Sequence, residues 1–599
     1  MQRFFACFLV FALGCGGVQG SGFEGEVELV LLHTSDLHSA LFPYREKLGW
    51  ADARRGLGTE GTTASIGGAA RLATLVGRER ALAERSLVLD SGDAFQGSLA
   101  FDTWSGEPEL LFLGALGVRA QALGNHELDR GAENVVQRYR ELATFPLLAA
   151  NYSGDATAGV AELVSPFAVL DVRGLRVGVV GVANARSVPA LRERPNELGV
   201  AVLETAGAVQ GALDALRPVV DVVVVLTHLG LDADHALVRE TSGIDVVLGG
   251  HQHLALDEPA VVLDCAEGTV MAAGGHRRRC VSRRVPVVHS GAYAKYLGKL
   301  SLRLDDAADR VGPTYEPLDA HEVTSATFEL LPAHAGVPED AAMRELLEPF
   351  RAGAFAGSEL GGAVGFAPRS VARAGVTGGD SPLGNVAADA VRRVAGTELA
   401  LIGASSLRRD LAPGAFDTDA LERSFPFDDP VVRVRTTGRA LRAAFERAAE
   451  TAFERDCRTP VHVSGASVRF RCPCERPPCA DVFVGATALC CRDDAECAPV
   501  GGACGAAPGE LGWCFLPLVS DAAYELATTA YVADGNGGFF ARIASGDRSL
   551  AAPGLREAVG EMLHDAEPCD GVPDELRHLP CLDERVGARR DGRLRIERP

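Results

Sequence analysis

Lysine is nearly absent from this chain of 599 residues. Lys47, Lys295 and Lys299 are its only lysines, so arginine carries almost all the positive charge, a compositional habit without functional content. Positive charge is also in the minority, with 59 Lys and Arg against 80 Asp and Glu and a formal net charge of -21. Nothing would neutralise phosphates along a groove, which argues against nonspecific nucleic-acid binding. No apolar run after the N-terminus is long enough to read as transmembrane, and no internal repeat marks a solenoid. What is present is 47% apolar and 23% charged, the balance of a globular protein, at a length suited to two or three domains.

The N-terminus reads as an export signal over residues 1-21. Arg3 precedes the apolar run Phe4 to Leu13, too short to span a bilayer but suited to a signal h-region. Gly14-Cys15-Gly16 follows and resembles a bacterial lipoprotein cleavage site, with Ala12 where a leucine is expected and Leu13 one place late. Two outcomes stay open: a lipid on Cys15 that attaches the chain to a membrane, or simple secretion. The expected location is the periplasm or the cell surface, including an outer-membrane lipoprotein.

Cysteine usage agrees with export. Of 15 cysteines, nine lie between Cys457 and Cys514. That density in an exported chain reads as a disulfide framework. A zinc site at Cys472, Cys474, Cys490 and Cys491 is the competing reading, but the spacing lacks a C-x2-C pair. Thirteen cysteines follow Cys15, so one thiol is left over unless it bridges to another chain.

Short β-branched runs alternate with helical patterns over the first half, which indicates an α/β layered domain. Several of these runs deliver polar residues at their ends, as open α/β sheets do when they build a site. Val27 to His33 leads to Asp36-Leu37-His38, and Ser86 to Asp90 leads to Gly92-Asp93. Gln121-Ala122-Leu123 runs into Gly124-Asn125-His126-Glu127-Leu128-Asp129. Val219 to Thr227 ends in His228, and Ile244 to Leu248 ends in Gly250-His251-Gln252-His253. Residues 256-285 read as a looped excursion closed by Cys265 and Cys280. The first domain is expected over 27-335. A linker helix is expected over 336-356, with Ala342, Leu346, Leu347 and Phe350 at helical spacing. A second α/β domain is expected over 357-552 with a Cys-rich insert at 457-514, then a polar tail over 553-599 clamped through Cys569 and Cys581.

Asp36, His38, Asp93, Asn125, His228, His251 and His253 are oxygen and imidazole donors. Together they could hold two divalent cations if one carboxylate bridges. Two ions about 3.5–4 Å apart activate water and clamp a phosphoryl group for in-line displacement. Taken singly, Asp36 reads as a helix cap, His228 as a core histidine, and His251 and His253 as loop residues. Five segments in one order, all at strand ends, outweigh those separate readings.

The set resembles the calcineurin-like metallophosphoesterase superfamily, with its D-x-H, G-D-x-x-x-G, G-N-H-E/D, H and G-H-x-H motifs. The flanks His33-Thr34-Ser35, Gly67-Gly68-Ala69-Ala70-Arg71-Leu72 and Leu128-Asp129 narrow this to the exported 5'-nucleotidase and UDP-sugar hydrolase family. The resemblance implies a four-layer α/β/β/α metallophosphoesterase domain, joined by a helical linker to a C-terminal α/β 5'-nucleotidase-type substrate domain. It implies Asp36, His38 and His253 on one metal, Asp93 bridging, and Asn125, His228 and His251 on the other. His126 and Asp129 would be the catalytic pair. The mixed donors suit zinc, manganese or iron. Glu127 receives no chemistry.

The resemblance continues on the substrate side, with departures. Leu383-Gly384-Asn385 to Asp389-Ala390 matches a family helix, and Arg408 stands for the substrate-clamping arginine. Phe427 and Tyr531 stand for the two faces of a base sandwich, and Gly465 for a glycine of the substrate-binding set. The family's base-contacting asparagine is Gly403 here. Its ribose-binding aspartate is Gly537 unless Asp534 compensates, and Thr377-Gly378-Gly379-Asp380 lacks an expected arginine. Stacking tolerates many bases, so the expected partner is a small-molecule phosphoester of nucleotide type. Cyclic nucleotides, sugar nucleotides or sulfate esters are alternatives on the same chemistry. A surface interaction protein using the 457-514 insert is the alternative of a different class.

Overall fold

The computed structural model describes residues 26–154, 159–184, 200–271, 275–306, 321–354, 362–375, 378–427, 429–474, 477–505, 511–539 and 547–598. The expected export signal and Cys15 lie outside the described residues, as does Thr377.

Two six-stranded sheets build the first domain. One runs in the order His321–Pro332, Tyr296–Asp306, Val27–Thr34, Ser86–Asp90, Val118–Ala122, Leu147–Leu148. The other runs Ala260–Leu263, Arg284–His289, Val246–Gly249, Val222–Thr227, Leu175–Val182, Phe167–Val172. Their central strands pair in parallel, so the chain leaves each of them on the same edge of its sheet. Central strands covered on both faces need continuous apolar sequence, which Val222–Thr227 shows in being buried throughout.

Leu29, Leu31, Leu87 and Leu89 of the first sheet pack on Val177, Val224, Leu226 and Leu248 of the second. The outer face of the first sheet, through Val30, Leu32 and Val88, packs on Leu72, Leu110 and Leu113 of helices Ala69–Leu82 and Glu107–Leu116. On the far side Val223 and Val225 pack on Leu213 and Leu237 of helices Thr205–Leu216 and Leu231–Glu240. The layers are therefore helix, sheet, sheet, helix.

Helix Ala341–Ala354 lies on the first of these helical layers through Met343 and Leu347. Trp104 Nε1 donates to the Phe350 carbonyl at 3.2 Å. The second domain is a mixed five-stranded sheet in the order Val461–Ser464, Leu399–Gly403, Ala523–Thr529, Val431–Thr437, Arg548–Ala552. Helix Pro382–Ala395 covers one face and helix Gly438–Glu454 the other.

The stretch 553–599 differs from the expected polar tail. Helix Leu555–His564 buries Leu555, Ala558, Val559, Met562 and Leu563 against helix Pro382–Ala395. Strand Leu594–Glu597 pairs in parallel with Ala466–Arg471. The apolar periodicity of that helix is short and sits beside a long polar stretch, which masks it in sequence.

The cysteines pair as Cys265–Cys280, Cys457–Cys472, Cys474–Cys479, Cys491–Cys504, Cys497–Cys514 and Cys569–Cys581, leaving Cys490 as an exposed thiol. This is the disulfide framework with one thiol over, and it removes the zinc alternative, since Cys472, Cys474 and Cys491 are all bridged. All but Cys265–Cys280 lie beyond residue 456, and each bridge is worth roughly 2–4 kcal/mol through loop closure. Reduction is therefore expected to lower the unfolding temperature of the C-terminal half while bound metal stays with the N-terminal half. Calorimetry with metal analysis before and after dithiothreitol checks this; metal release at the first step would contradict it.

Candidate metal centre

The parallel strands of both sheets end at one pole, and there the sequence places its donors. Asp36 and His38 follow strand Val27–Thr34, Asp93 follows Ser86–Asp90, and Asn125 follows Val118–Ala122. His228 follows Val222–Thr227, and His251 and His253 follow Val246–Gly249. They converge into two triads, Asp36 with His38 and His253, and Asp93 with His228 and His251, each with donor atoms within 4.8 Å of one another. Asp93 faces both triads, its Oδ2 lying 2.9 Å from His228 Nε2 and 4.0 Å from His38 Nε2. Asn125 Oδ1 lies 3.1 Å from His251 Nδ1, which places it with the second triad.

The donor chemistry fits bound cations. His228 Nδ1 donates to the Ser91 carbonyl at 2.7 Å, so Nε2 is turned to Asp93 Oδ2, 2.9 Å away. His38 Nε2 and His253 Nε2 face each other at 2.9 Å, where two imidazoles have at most one proton to share. Burial lowers the pKa of His38 and His253 well below the ordinary range and that of His251 to about 3, keeping them in the neutral form that binds metal. Burial works against the Asp93 carboxylate, yet the imidazoles of His228, His126 and His38 hold its pKa well below the ordinary range. Asp36, His38, Asp93, His251 and His253 all adopt positive φ, between 46° and 80°. Backbone strain of that kind persists where the surrounding structure over-determines it, and it concentrates here on the donors.

The loops carrying Asp93 and Asn125 touch through glycines. A Cβ at Gly124 would sit 2.3 Å from Asp93 N, and one at Gly92 would sit 2.6 Å from Gly124 N. Glu127, to which sequence reasoning gave no role, is buried beneath this contact. Its carboxylate accepts the N–H groups of Asp93 at 3.0 Å and Ala94 at 2.7 Å. Nothing local signals this, because the partners lie on another strand end. Glu127→Ala is expected to cost roughly 1–3 kcal/mol for each N–H left unpaired and to weaken metal retention. Thermal unfolding and metal stoichiometry check it; a variant matching the parent in both would show the support to be dispensable.

Beside the triads, His126 Nδ1 lies 2.8 Å from Asp129 Oδ2, and the His126 backbone N–H donates to Asp93 Oδ1 at 2.8 Å. Burial opposes the charged imidazole, but the carboxylates of Asp129 and Asp93 outweigh it and raise the His126 pKa. From the second domain, Arg408 Nη2 approaches His126 Nε2 to 3.2 Å. The Phe427 ring lies 5.8 Å from the His126 ring and 5.0 Å from the Arg408 guanidinium carbon. The Tyr531 N–H donates to Asp429, and burial raises the pKa of its hydroxyl, with Arg408 opposing and Asp429 and Asp129 adding to the rise.

Gly465 is not brought to this cluster. It follows Ser464, which pairs with Ala400 near the start of strand Leu399–Gly403, whereas Arg408 lies beyond that strand's end. A Cβ there would sit 2.0 Å from the Glu398 carbonyl at a φ of 75°, so close packing and backbone conformation account for this glycine. Asp534 is held by Arg548 at 2.7 Å, which commits it to an ion pair. Tyr44, Tyr293 and Arg409 join the site without any signal in the sequence.

Residues 29–255 match the family model described as calcineurin-like phosphoesterase, and residues 360–542 match that of the 5'-nucleotidase C-terminal domain. A 5'-nucleotidase of Bos taurus is 31% identical over 49% of this chain and 49% of its own length, so the match spans about half of that curated relative. One from Diplobatis ommata is 26% identical over 86% of this chain and 83% of its own. The solved 5'-nucleotidase precursor of Thermus thermophilus superposes with a TM-score of 0.73 at 26% identity, covering 96% of this chain and 99% of that one. With both halves matched in order, and the donor cluster seated where the first half ends its strands, the chain belongs to the 5'-nucleotidase family of calcineurin-like phosphoesterases.

Proposed function

We propose that the protein is an exported phosphoester hydrolase acting on nucleoside 5'-monophosphates or closely related nucleotides, and that the cluster holds two divalent ions. The observation that carries this is the pair of donor triads with Asp93 facing both, and the His126–Asp129 pair and Arg408 at their edge. The family implies divalent metal at this site. Asp36, His38, His253 and Asp93 would hold one ion, and Asp93, Asn125, His228 and His251 the other. The mixed nitrogen and oxygen donors suit zinc, manganese or iron. When bound, such a pair supplies Lewis-acid polarisation and an activated water.

The chain's own groups do the rest. Asp129 orients the His126 ring through Nδ1 and supports its positive charge, leaving Nε2 to stabilise a phosphoryl oxygen or to protonate the leaving oxygen. Arg408 binds the phosphoryl oxygens as a planar donor, and Phe427 and Tyr531 offer faces for a base. Gly403 and Gly537 offer no side-chain hydrogen bond to base or ribose, so discrimination among nucleotides is expected to be weak. Export is supported by the six disulfides. No helix among the described residues is long and apolar enough to cross a membrane.

The deciding assay uses purified protein loaded with manganese or zinc against AMP, a UDP-sugar, a cyclic nucleotide, an aryl sulfate and an aryl phosphate. Turnover of AMP supports the nucleotidase reading. Turnover of the aryl phosphate but not AMP would keep the chemistry and move the substrate. No turnover on any ester with metal bound would favour a surface interaction protein.

A further inference from the structure

The segment that carries Arg408 crosses to the first domain a second time, one residue later. Arg409 is buried, and its guanidinium carbon lies 3.8 Å from the Tyr44 ring centre and 4.6 Å from that of Tyr293. It forms an ion pair with Glu46, which also pairs with Lys295. Tyr44 Oη donates to the Tyr293 carbonyl at 3.0 Å, so the two rings form one slot. A planar guanidinium fills such a slot while keeping its charge, which a lysine ammonium would not do as well.

The back wall of the slot is the donor cluster itself. Tyr293 N–H donates to the Asp36 carbonyl at 2.8 Å, and its ring lies 5.3 Å from that of His38 and 5.1 Å from that of His253. On the other side the Arg408 N–H donates to the Ser424 carbonyl at 3.0 Å, which anchors the segment in its own domain. Other bonds between the domains lie around this pair, including Gln96 Nε2 to the Pro426 carbonyl at 3.2 Å and Leu99 N–H to Asp419 at 3.4 Å.

We propose that Arg409 is the positioning residue of the substrate domain. Seated between Tyr44 and Tyr293 and held by Glu46, it sets the reach of Arg408 to His126, so that the domain registers on the wall of the metal cluster. The kinetic part of this proposal rests on the phosphohydrolase reading; the registration does not.

The test uses the full-length, metal-loaded protein and the variants Arg409→Ala, Glu46→Gln, Arg408→Ala and the Arg408→Ala/Arg409→Ala pair. With AMP and an aryl phosphate, Arg409→Ala is expected to lower kcat on the order of a hundredfold, as misplacement of a clamping group by an ångström does, with metal content unchanged. Glu46→Gln should act in the same direction and keeps the question open to measurement if Arg409→Ala fails to fold. Because Arg409 acts through Arg408, the double variant should be no slower than Arg408→Ala alone, whereas a merely structural role would multiply the losses. Small-angle scattering should show a larger radius of gyration for Arg409→Ala and Glu46→Gln than for the parent. Multiplied losses, or activity within about threefold together with unchanged scattering, would overturn the proposal. If the parent hydrolyses none of these esters, scattering alone decides the registration, and only the functional reading fails.

Discussion

Asp93→Ala is expected to eliminate metal-dependent turnover, by a factor of at least about a thousand, because several kcal/mol of metal-derived charge stabilisation are lost at 1.36 kcal/mol per decade. The Asp93 carboxylate touches both triads and the His126 backbone. Its Oδ2 stands between the two triads, 2.9 Å from His228 Nε2 and 4.0 Å from His38 Nε2, while Oδ1 holds the His126 backbone N–H at 2.8 Å. Truncation would remove the ligand proposed to be shared, leave buried imidazoles facing one another and release the loop that aims His126. Metal content should fall together with kcat. Asp93→Asn separates these effects, since it keeps the shape but removes the charge that three imidazoles surround. Kinetics paired with elemental analysis of the purified variants provide the measurement, and Asp93→Ala activity within tenfold of the parent would refute the shared-ligand assignment.

The second large effect is expected at His126, and there the metals should stay. His126→Ala should reduce kcat by about 10²–10⁴, the usual worth of a positioned acid–base group, with unchanged metal stoichiometry. Asp129→Asn should give part of the same loss, because Asp129 Oδ2 accepts from Nδ1 at 2.8 Å and the amide presents the ring with a different partner. The double variant should be about as slow as His126→Ala alone, since the two residues act as a unit. Substrates with poor leaving groups should suffer most if His126 protonates the leaving oxygen, and equal losses across a leaving-group series would assign it to the phosphoryl oxygens instead. Loss of metal from His126→Ala would show that the ring supports the cluster rather than the substrate.

The donors were legible from the chain alone because each follows a predicted strand, most of them apolar and rich in β-branched residues. A parallel strand buried on both faces leaves a signature in sequence, and the residue just past its end is where open α/β sheets expose chemistry. The motif spacings of Asp36-Leu37-His38 and His251-Gln252-His253 are local, so they needed no fold to be seen. The surplus thiol is likewise a matter of counting, and it proved to be Cys490.

Other features depend on approach between residues far apart in the chain, which no local pattern encodes. Glu127 looked idle until the Asp93 loop was placed over it, and its carboxylate was seen to cap two backbone N–H groups of another strand end. Gly465 matched a substrate motif, but the sheet register sets it at the opposite end of strand Leu399–Gly403 from Arg408. Asp534 offered itself as a ribose contact until Arg548 was found beside it. Arg409 reads as one more arginine in an arginine-rich chain; only the docking of two domains turns it into the occupant of a slot between Tyr44 and Tyr293. The chemistry of this protein was thus determined by sequence, through residues bound to the ends of single strands. The aim of that chemistry, and the registration of one domain on the other, were decided by tertiary structure, because they reside in contacts that exist only after both domains have folded and met.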